Sequence, residues 1–379
     1  MAEDAVADGA RTMNRVAGVR TASTADAAGA SAASLLEDAD GLVLHELAVA
    51  VVTATAEQAS ELAHAAEQRG PIAVVEPERV VHAIGPAAPA AAAQELDENT
   101  FTWGLQAVRA HASSATGAGV RLAVLDTGVE LNHPDLAGRN LVTSSFVPGE
   151  TVHDGHGHGT HCIGTACGPR QPDTGPGYGV AYEADIYAGK VLSNEGSGAD
   201  GGILSGISWA IANGCRVVSM SLGASTEPGQ PHSRTFESVA QRAMARGTLI
   251  VAAAGNESGR PGKVAPVSHP ANCPSIMAVG AVDKSGAIAY FSCGSVDTAG
   301  QVDVVGPGVG VYSSWKLPDR YATINGTSMA TPHVAGVAAL ISERYPKAHP
   351  WELWARLGQS ALRTALPSAD VGAGLVQSP

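Results

Sequence analysis

The sequence predicts an α/β fold built on a doubly wound, mainly parallel sheet and preceded by a small α+β domain. Over most of the chain, apolar runs alternate with helical patterns, as they do where helices cover both faces of a parallel sheet. The 379 residues are 45% hydrophobic and 16% charged, the composition of a globular chain with a large core. The 45 glycines indicate many tight turns and close backbone approaches. This composition excludes disorder throughout.

The charge distribution divides the chain into an acidic N-terminal segment and a nearly neutral remainder. Residues 1–98 contain 16 acidic residues and five arginines, whereas residues 99–379 contain 20 acidic and 18 basic residues. Prolines and a run of alanines between positions 86 and 93 indicate a flexible connection. We predict a mobile acidic tail over residues 1–40, a small domain with its linker over 41–98, and a large domain over 99–379.

The small domain is predicted to have the order strand, helix, strand, strand. Strand-like runs cover residues 47–53, 72–75 and 79–84. After the first of them, Thr55 and Gln58 form a capping box ahead of a helix that ends at Gly70. A unit of about 45 residues is too small to hold a secure core alone. We therefore expect it to pack against a partner surface.

The large domain supplies the strands and helices of the doubly wound sheet. The predicted strands cover residues 120–125, 185–192, 216–222, 248–254 and 276–282. The predicted helices cover residues 203–211, 236–244 and 328–341. The last helix is apolar on almost every side, so it should run through the core. Sheets of this kind place their chemistry at the carboxyl ends of the strands.

The composition argues against two classes of partner. A net charge of −13 without basic clusters speaks against nucleic acid, because phosphate binding needs such clusters. The apolar stretches argue against a membrane span, because the longest of them, such as residues 249–255, fall far short of the roughly 20 residues that cross a bilayer. The first 35 residues carry no secretory signal pattern. The chain as written is therefore expected in the cytoplasm, and a secreted protein is expected if a signal was trimmed.

A cluster of histidines lies between the first two predicted strands of the large domain. It contains His153, His156, His158 and His161, and Cys162 follows directly. Zinc binding is one interpretation, but the spacing gives neither a regular helical i, i+4 arrangement nor a Cys-x-x-Cys knuckle. A general base on a glycine-rich turn at a helix start is the other. The pattern alone does not say which histidine would act.

Three further positions combine a polar side chain with a strand end or a helix start. Asp126 follows the first large-domain strand, and Asn256 follows the fourth. Ser328 opens the buried helix, where free N–H groups and the helix dipole favour a developing negative charge. Each has an ordinary structural alternative, which is a strand-end carboxylate, a turn-forming amide or a helix N-cap.

Together, in the order Asp, His, Asn and Ser, these features resemble the subtilisin-like serine proteases. The resemblance covers about residues 100–379. It rests on the motifs Asp126-Thr127-Gly128, His158-Gly159-Thr160-His161, Ala254-Gly255-Asn256 and Gly326-Thr327-Ser328-Met329-Ala330-Thr331-Pro332. With Cys162 directly behind the histidine motif, the chain looks most similar to the proteinase K branch.

The resemblance assigns a role to each of the four residues. It implies that Ser328 is the nucleophile, that His158 takes and returns its proton, and that Asp126 orients and stabilises the imidazolium. Asn256 and the Ser328 N–H would hold the oxyanion. The other histidines of the cluster would then be loop or structural residues.

The resemblance also implies a substrate groove that an extended peptide enters as an added strand. The implied groove residues are Ser221, Leu222, Gly223, Ala253 and Gly255. Ser268 stands where the base of the first pocket is usually glycine, which predicts a shorter pocket. Asp154 and Asp200 match the rims of the second and fourth pockets and predict a preference for basic residues there.

Calcium is the cofactor that the resemblance implies, without any organic cofactor. Asp303 matches a carboxylate that binds calcium together with the carbonyls of Pro274 and Ile276, and oxygen ligands suit Ca²⁺. A solvated turn aspartate is the alternative. Asp135 matches a ligand of a second calcium site, but its partner loop departs from the family pattern.

The five cysteines are an odd number, so at least one is left without a partner inside the chain. Cys273 and Cys293 flank a strand and could form a bridge. Five free thiols is the other interpretation, and it suits a cytoplasmic protein better.

The N-terminal block resembles the propeptides of this family, which assist folding and occupy the groove as inhibitors until they are cut. The similarity lies in its strand order and in residues 71–83. A permanent binding domain is the alternative. We expect a monomeric zymogen that removes residues 1 to about 98 by self-cleavage and hydrolyses polypeptides through an acyl-enzyme. Two other functions stay open: a dedicated cytoplasmic maturation protease for one partner peptide, and a non-catalytic peptide-binding relative.

Overall fold

The computed structural model describes residues 15–19, 40–67, 72–85 and 97–379, which form a small and a large domain. The small domain is a four-stranded antiparallel sheet with one helix. Its elements are β1 (Arg15–Val19), β2 (Asp40–Leu44), β3 (Val49–Thr53), α1 (Ala56–Glu67) and β4 (Ile72–Pro77), and the strand order is β2-β3-β1-β4. Ala50, Val52, Leu62 and Ile72 form its buried core.

Helix α1 starts at the predicted capping box. The Thr55 N–H donates to Gln58 Oε1 at 2.9 Å, and the Gln58 N–H donates to Thr55 Oγ1 at 3.3 Å. Each side chain thus satisfies a backbone donor that the first turn leaves free. The predicted helix start is confirmed.

Strands β1 and β2 lie where the sequence patterns predict none. Strand β1 falls inside residues 1–40, where the sequence predicts a mobile tail, and the mobility of that segment stays a prediction. The sequence Arg-Val-Ala-Gly-Val gives only a weak strand signal, and the strand exists through antiparallel pairing with β3 and β4. The rest of that segment before Asp40 lies outside the described residues.

A seven-stranded parallel sheet forms the centre of the large domain and confirms the predicted fold class. Its strands are β6 (Arg121–Asp126), β7 (Leu141–Ser145), β8 (Asp185–Lys190), β10 (Val217–Met220), β12 (Leu249–Ala253), β13 (Met277–Val282) and β14 (Val304–Pro307). Their order is β14-β13-β12-β10-β6-β8-β7. The five central strands are those predicted. The edge strands β7 and β14 are not, because one is half polar and the other has four residues and ends in proline.

Five further short strands of the described residues lie outside both of these sheets. They are β5 (Val80–Ala83), β9 (Ser197–Ala199), β11 (Leu222–Gly223), β15 (Val311–Ser314) and β16 (Tyr321–Ile324). The last two pair with each other, whereas β5 lies antiparallel between β11 and β9. A strand from the N-terminal segment therefore completes a sheet of the large domain.

Helices cover the central sheet and also pass through its core. They are α2 (Trp103–Ala107), α3 (His158–Cys167), α4 (Asp200–Ala212), α5 (Arg234–Ala245), α6 (Thr327–Arg344), α7 (Pro350–Ser360) and α8 (Ser368–Val371). Helix α6 is buried from Thr327 to Ser342, as its apolar pattern predicts. Within the described residues, no helix has both the length and the apolar character to cross a membrane.

Candidate active site

Asp126 and His158 form a buried pair at the carboxyl edge of the central sheet. Asp126 ends β6, and His158 begins α3. Asp126 Oδ1 lies 2.7 Å from His158 Nδ1 and accepts the Thr127 N–H at 2.7 Å. Gly157 makes this placement possible, because its φ of 105° and its contact with the Trp315 ring leave no room for a Cβ.

The carboxylate sets both the charge and the tautomer of the imidazole. Burial disfavours the charged ring, yet the charge and the hydrogen bond of Asp126 raise the pKa of His158 well above its usual value. In the neutral ring, with Nδ1–H directed to Asp126, Nε2 is the nitrogen that accepts a proton. Nε2 is buried and has no hydrogen-bond partner in the described part of the chain. This ring can therefore act as a base.

Ser328 is the second residue of α6, and its hydroxyl points into the groove between β9 and β11. Ser328 Oγ donates to the Ile84 carbonyl oxygen at 2.8 Å, and the Ser221 carbonyl oxygen lies 3.2 Å away. The hydroxyl thus touches the backbone just beyond β5. This serine is not an N-cap, because that position belongs to Gly326.

Cys162 contacts both His158 and Ser328. Its Sγ lies 3.9 Å from His158 Nδ1 and 3.6 Å from the Ser328 carbonyl oxygen. Burial raises the pKa of the Cys162 thiol to about 11, so it is a neutral packing group at pH 7. The sequence motif places Cys162 beside the histidine, and the structure adds its contact with the serine.

Asn256 presents a side-chain N–H to the groove. Its Oδ1 accepts the Thr327 N–H at 3.0 Å and the Thr327 hydroxyl at 2.9 Å. These two bonds orient the amide, so that Nδ2 donates to the Gly85 carbonyl oxygen at 3.0 Å. Asn256 is therefore a pre-oriented donor, and Thr327, which sequence reasoning missed, orients it.

Of the groove residues expected from sequence, some contact the N-terminal segment and one lies inside the central sheet. Ser221, Leu222 and Gly223 contact the N-terminal segment: the Ser221 carbonyl accepts the Ile84 N–H at 3.3 Å, and β11 pairs with Ala83 and His82. Ala253, by contrast, pairs with Val279 inside the central sheet.

Ser268 and Gly255 lie together beside the groove. A Cβ on Gly255 would meet Ser268 Oγ at 2.3 Å, so only glycine fits there. Ser268 Oγ donates to Glu257 Oε2 at 3.0 Å, and Cys293 Sγ donates to the same oxygen at 3.1 Å. The serine hydroxyl is thus turned towards a carboxylate that sequence reasoning missed.

Asp154 does not form a pocket rim, so its expected contact with substrate is corrected. The side chain is fully buried. Burial opposes its ionisation, but hydrogen bonds from Gly157, Thr160 and Thr127 lower the pKa of Asp154 below its usual value. The carboxylate joins the turn after Asp126 to the start of α3 and has no oxygen left for a basic substrate residue.

Asp200 contacts the N-terminal segment from the start of α4. Its Oδ2 accepts the Arg79 N–H at 3.1 Å and lies 3.7 Å from the Arg79 guanidinium, while Oδ1 lies 3.1 Å from His269 Nε2. A basic residue therefore lies against Asp200, one position before β5. The predicted preference for basic residues in a fourth pocket remains a prediction.

A buried lysine supports the Asp126 turn. Lys190, at the end of β8, donates to the Thr127 carbonyl at 2.5 Å and to Asn194 Oδ1 at 3.0 Å. Its Nζ lies 3.2 Å from Glu150 Oε2. A fully buried ammonium needs such a carboxylate. Sequence reasoning missed this group, whose only signal is a lysine ending an apolar strand.

Two carboxylates of the N-terminal segment bind helix starts of the large domain. Glu76 accepts the Ser233 hydroxyl and the N–H groups of Arg234 and Thr235 at the start of α5. Glu78 accepts the Gly201 N–H at 2.7 Å at the start of α4. Burial and the nearby Asp200 charge raise the pKa of Glu78 to about 7, although the Gly201 bond opposes this.

Zinc binding by the histidine cluster is not supported. His161 Nε2 lies 3.1 Å from the Val311 carbonyl, and His153 Nδ1 lies 3.9 Å from Glu130. Among the described residues, the one group of three metal-ligating side chains within reach of a common ion is Asp126, His158 and Cys162. Asp126 and His158 already form the buried pair, and Cys162 contacts His158.

Asp303 is the carboxylate for which calcium was expected. One of its oxygens accepts the Ala278 N–H at 2.8 Å. Burial raises the pKa of Asp303 to about 7, although the Ala278 hydrogen bond opposes this. Oxygen ligands suit Ca²⁺, and the calcium site expected from Asp303 with the Pro274 and Ile276 carbonyls stays a prediction. Asp135 differs, because the Tyr178 and Tyr321 hydroxyls donate to its Oδ2.

All five cysteines are buried and free. Cys273 Sγ donates to the Ser233 carbonyl, whereas Cys293 Sγ donates to Glu257. The two therefore have separate partners and form no bridge.

Comparisons with known proteins agree with this geometry. Residues 117–374 match the model of the subtilase family. The chain is 42% identical to the thermostable alkaline protease of Halalkalibacterium halodurans over 284 residues. This matched region covers 74% of this chain and 73% of that protein. It is 42% identical over 281 residues to subtilisin BL of Lederbergia lenta (73% and 96%) and 40% identical over 278 residues to subtilisin E of Bacillus subtilis (73% and 66%). These matches do not specify the proteinase K branch, which stays a prediction.

Proposed function

Because the chain belongs to the subtilase family and is a serine-type endopeptidase, we propose that Ser328, His158 and Asp126 carry its chemistry and that it is made as a zymogen. The single observation that carries the proposal is the 2.8 Å bond from Ser328 Oγ to the Ile84 carbonyl oxygen. That bond joins the proposed nucleophile to a peptide carbonyl in the groove.

In the proposed reaction, Ser328 Oγ attacks the carbonyl carbon of a bound peptide while its proton passes to His158 Nε2. Asp126 holds the ring by Nδ1 and stabilises the imidazolium, in keeping with the raised pKa of His158. Asn256 Nδ2 and the Ser328 N–H hold the oxyanion. His158 then protonates the leaving amine, and water releases the acyl group from Ser328.

The N-terminal segment serves as an intramolecular inhibitor until it is cut. Strand β5 fills the space between β9 and β11 that a substrate strand would use, which supports this role. The contacts of Glu76 and Glu78 with α5 and α4 hold the small domain on the large one. Self-cleavage between the domains then frees the groove.

Calcium is the cofactor proposed for the large domain. Asp303 would hold it together with the carbonyl oxygens of Pro274 and Ile276. The ion would supply the positive charge that the buried Asp303 carboxylate lacks, and so stabilise the fold around β13 and β14.

The experiment that tests the proposal compares the intact mass of the wild type with that of Ser328→Ala, each with and without a fluorophosphonate probe. We expect the wild type to lose its N-terminal segment and take the label, and the variant to stay full length and unlabelled. A wild type that takes the label but stays full length would contradict the zymogen. A Ser328→Ala protein that still takes the label would contradict the nucleophile.

A further inference from the structure

We propose that the enzyme cuts its own chain between Ile84 and Gly85. This inference rests on the proposed zymogen function and deepens it by assigning the bond. The relevant segment is residues 80–85, which follows the small domain and lies in the groove.

Strand pairing fixes where each residue of this segment lies. On one side Ala83 pairs with Leu222 and His82 with Gly223, and on the other side Val81 pairs with Gly198. Val81 is fully buried, whereas Val80 is 63% exposed. A shift by one residue would exchange the faces of these two valines, so the pairing is firmly specified.

Ile84 is held at its N–H, its side chain and its carbonyl. The N–H donates to the Ser221 carbonyl at 3.3 Å, and the carbonyl accepts the Ser328 hydroxyl at 2.8 Å. The side chain is only 6% exposed, and its Cδ1 would lie 3.3 Å from a Cβ on Gly223. Ile84 is therefore the anchored residue whose carbonyl the nucleophile touches.

The following bond, Gly85–Pro86, is the competing candidate. The Gly85 carbonyl accepts the Asn256 amide at 3.0 Å, so the oxyanion donor contacts the residue after Ile84. Gly85 is exposed and has no side chain to anchor it, and its leaving group would be the ring nitrogen of a proline. For cleavage after Ile84, the Ile84 carbonyl oxygen turns from Ser328 Oγ to Asn256 Nδ2.

The chemical step is then ordinary acyl transfer. Ser328 Oγ bonds to the Ile84 carbonyl carbon, and its proton moves to His158. The bond from that carbon to the Gly85 nitrogen breaks as His158 returns the proton to this nitrogen. Water hydrolyses the ester and leaves Ile84 with a carboxylate and Gly85 with a free amine, so the large domain keeps residues 85–98.

The test follows the first cut in dilute wild-type protein by intact mass and N-terminal sequencing, with Ser328→Ala beside it. We expect the small fragment to end at Ile84, the large one to begin at Gly85, and the variant to stay whole. A first cut at Gly85–Pro86 or within residues 87–98 would overturn the assignment and leave the zymogen function standing. A wild type that never cuts itself would overturn both.

Two variants test whether Ile84 selects the bond. Ile84→Asp places a charge in the buried pocket and should slow the first cut at least tenfold. Val43→Asp adds the same charge on an exposed face of the small domain, where Val43 is 38% exposed, and should change the rate less than twofold. Equal rates in the two variants would overturn the proposal.

A peptide of residues 79–88 keeps the test valid if Ile84→Asp does not fold. Given to matured wild-type enzyme, this peptide should be cut between the same two residues, and the peptide with aspartate at position 84 should be cut at least tenfold more slowly. Cleavage of the natural peptide only at another bond would contradict the assignment.

Discussion

The hydroxyl of Ser221 donates to the carbonyl oxygen of Ser328 at 2.8 Å. That carbonyl is free because Pro332, four residues later in α6, has no N–H to give it. The proline therefore leaves an acceptor directly behind the proposed nucleophile, and Ser221 and Cys162 occupy it. The bond ties the start of α6 to the segment that also binds the groove strand.

Ser221→Ala should lower kcat about fivefold with little change in KM. The lost hydrogen bond contributes about 1 kcal/mol, and the Ser221 carbonyl that accepts the Ile84 N–H stays in place. Steady-state kinetics on one peptide measures this. Ser219→Ala on β10 is the control, because its hydroxyl has no partner among the described residues. Equal losses in both variants would show that Ser221 acts only through packing.

Asn256→Ala should lower kcat by about 10²–10³-fold, the loss known for the same kind of donor in a subtilisin. The donor acts on charge that develops in the transition state, so KM should change much less. Asn213→Ala, which removes a bond to the Trp209 carbonyl, is the control. A rise in KM at unchanged kcat would contradict the role of Asn256 as an oxyanion donor.

The affinity of the small domain for the mature enzyme should fall as pH rises from about 4.5 to 7. Burial raises the pKa of Glu78 to about 7 in the complex, so the complex holds more protons than the free domain over this range. One proton changes affinity by up to about tenfold per pH unit. Inhibition constants for the small domain added in trans, measured from pH 5 to 8, test this.

Glu78→Gln should remove that pH dependence, and Glu76→Gln should not. Burial opposes ionisation of Glu76, but hydrogen bonds from Ser233 and α5 lower its pKa, so its stabilising charge is lost only below about pH 4.5. Glu76→Gln should therefore weaken binding throughout pH 5 to 8 without changing the slope. An unchanged slope in Glu78→Gln would contradict the assignment of the slope to Glu78.

Calcium should raise the Tm of the Ser328→Ala protein by several degrees at pH 8 and by less at pH 6. Without calcium, the pKa of Asp303 is about 7 in the folded state, above its unfolded value. The Asp303 carboxylate therefore destabilises the fold most above pH 7, where it is ionised. Calcium binds this ionised form and so stabilises the fold most in the same pH range. Thermal melts with calcium or a chelator measure this. Asp303→Asn should abolish the response, whereas the exposed Asp319→Asn should keep it.

Much of the fold was predictable because hydrophobic period and turn residues are local signals. The five central strands and α6 follow from their apolar patterns alone, and the capping box at Thr55 marks a helix start. Strand β1 was not predictable in this way, since it pairs with residues 31 to 62 positions away in the sequence.

The functional residues were predictable where they stand in sequence motifs. They were not predictable where the burial of a side chain determines what it contacts. Asp126, His158, Asn256 and Ser328 stand in motifs, and the structure brings them to one edge of the sheet. The error over Asp154 arose because a motif position does not reveal that a side chain is buried and fully hydrogen-bonded.

The sheet β11-β5-β9 has a middle strand that the proposed cleavage releases. When it leaves, β9 and β11 become two facing edges with unpaired backbone groups, and the next polypeptide must supply a stretch of bare main chain to replace it. A folded protein seldom offers such a stretch, since its own backbone groups are already paired. The rate at which the mature enzyme degrades a folded target should therefore follow how often that target frays locally.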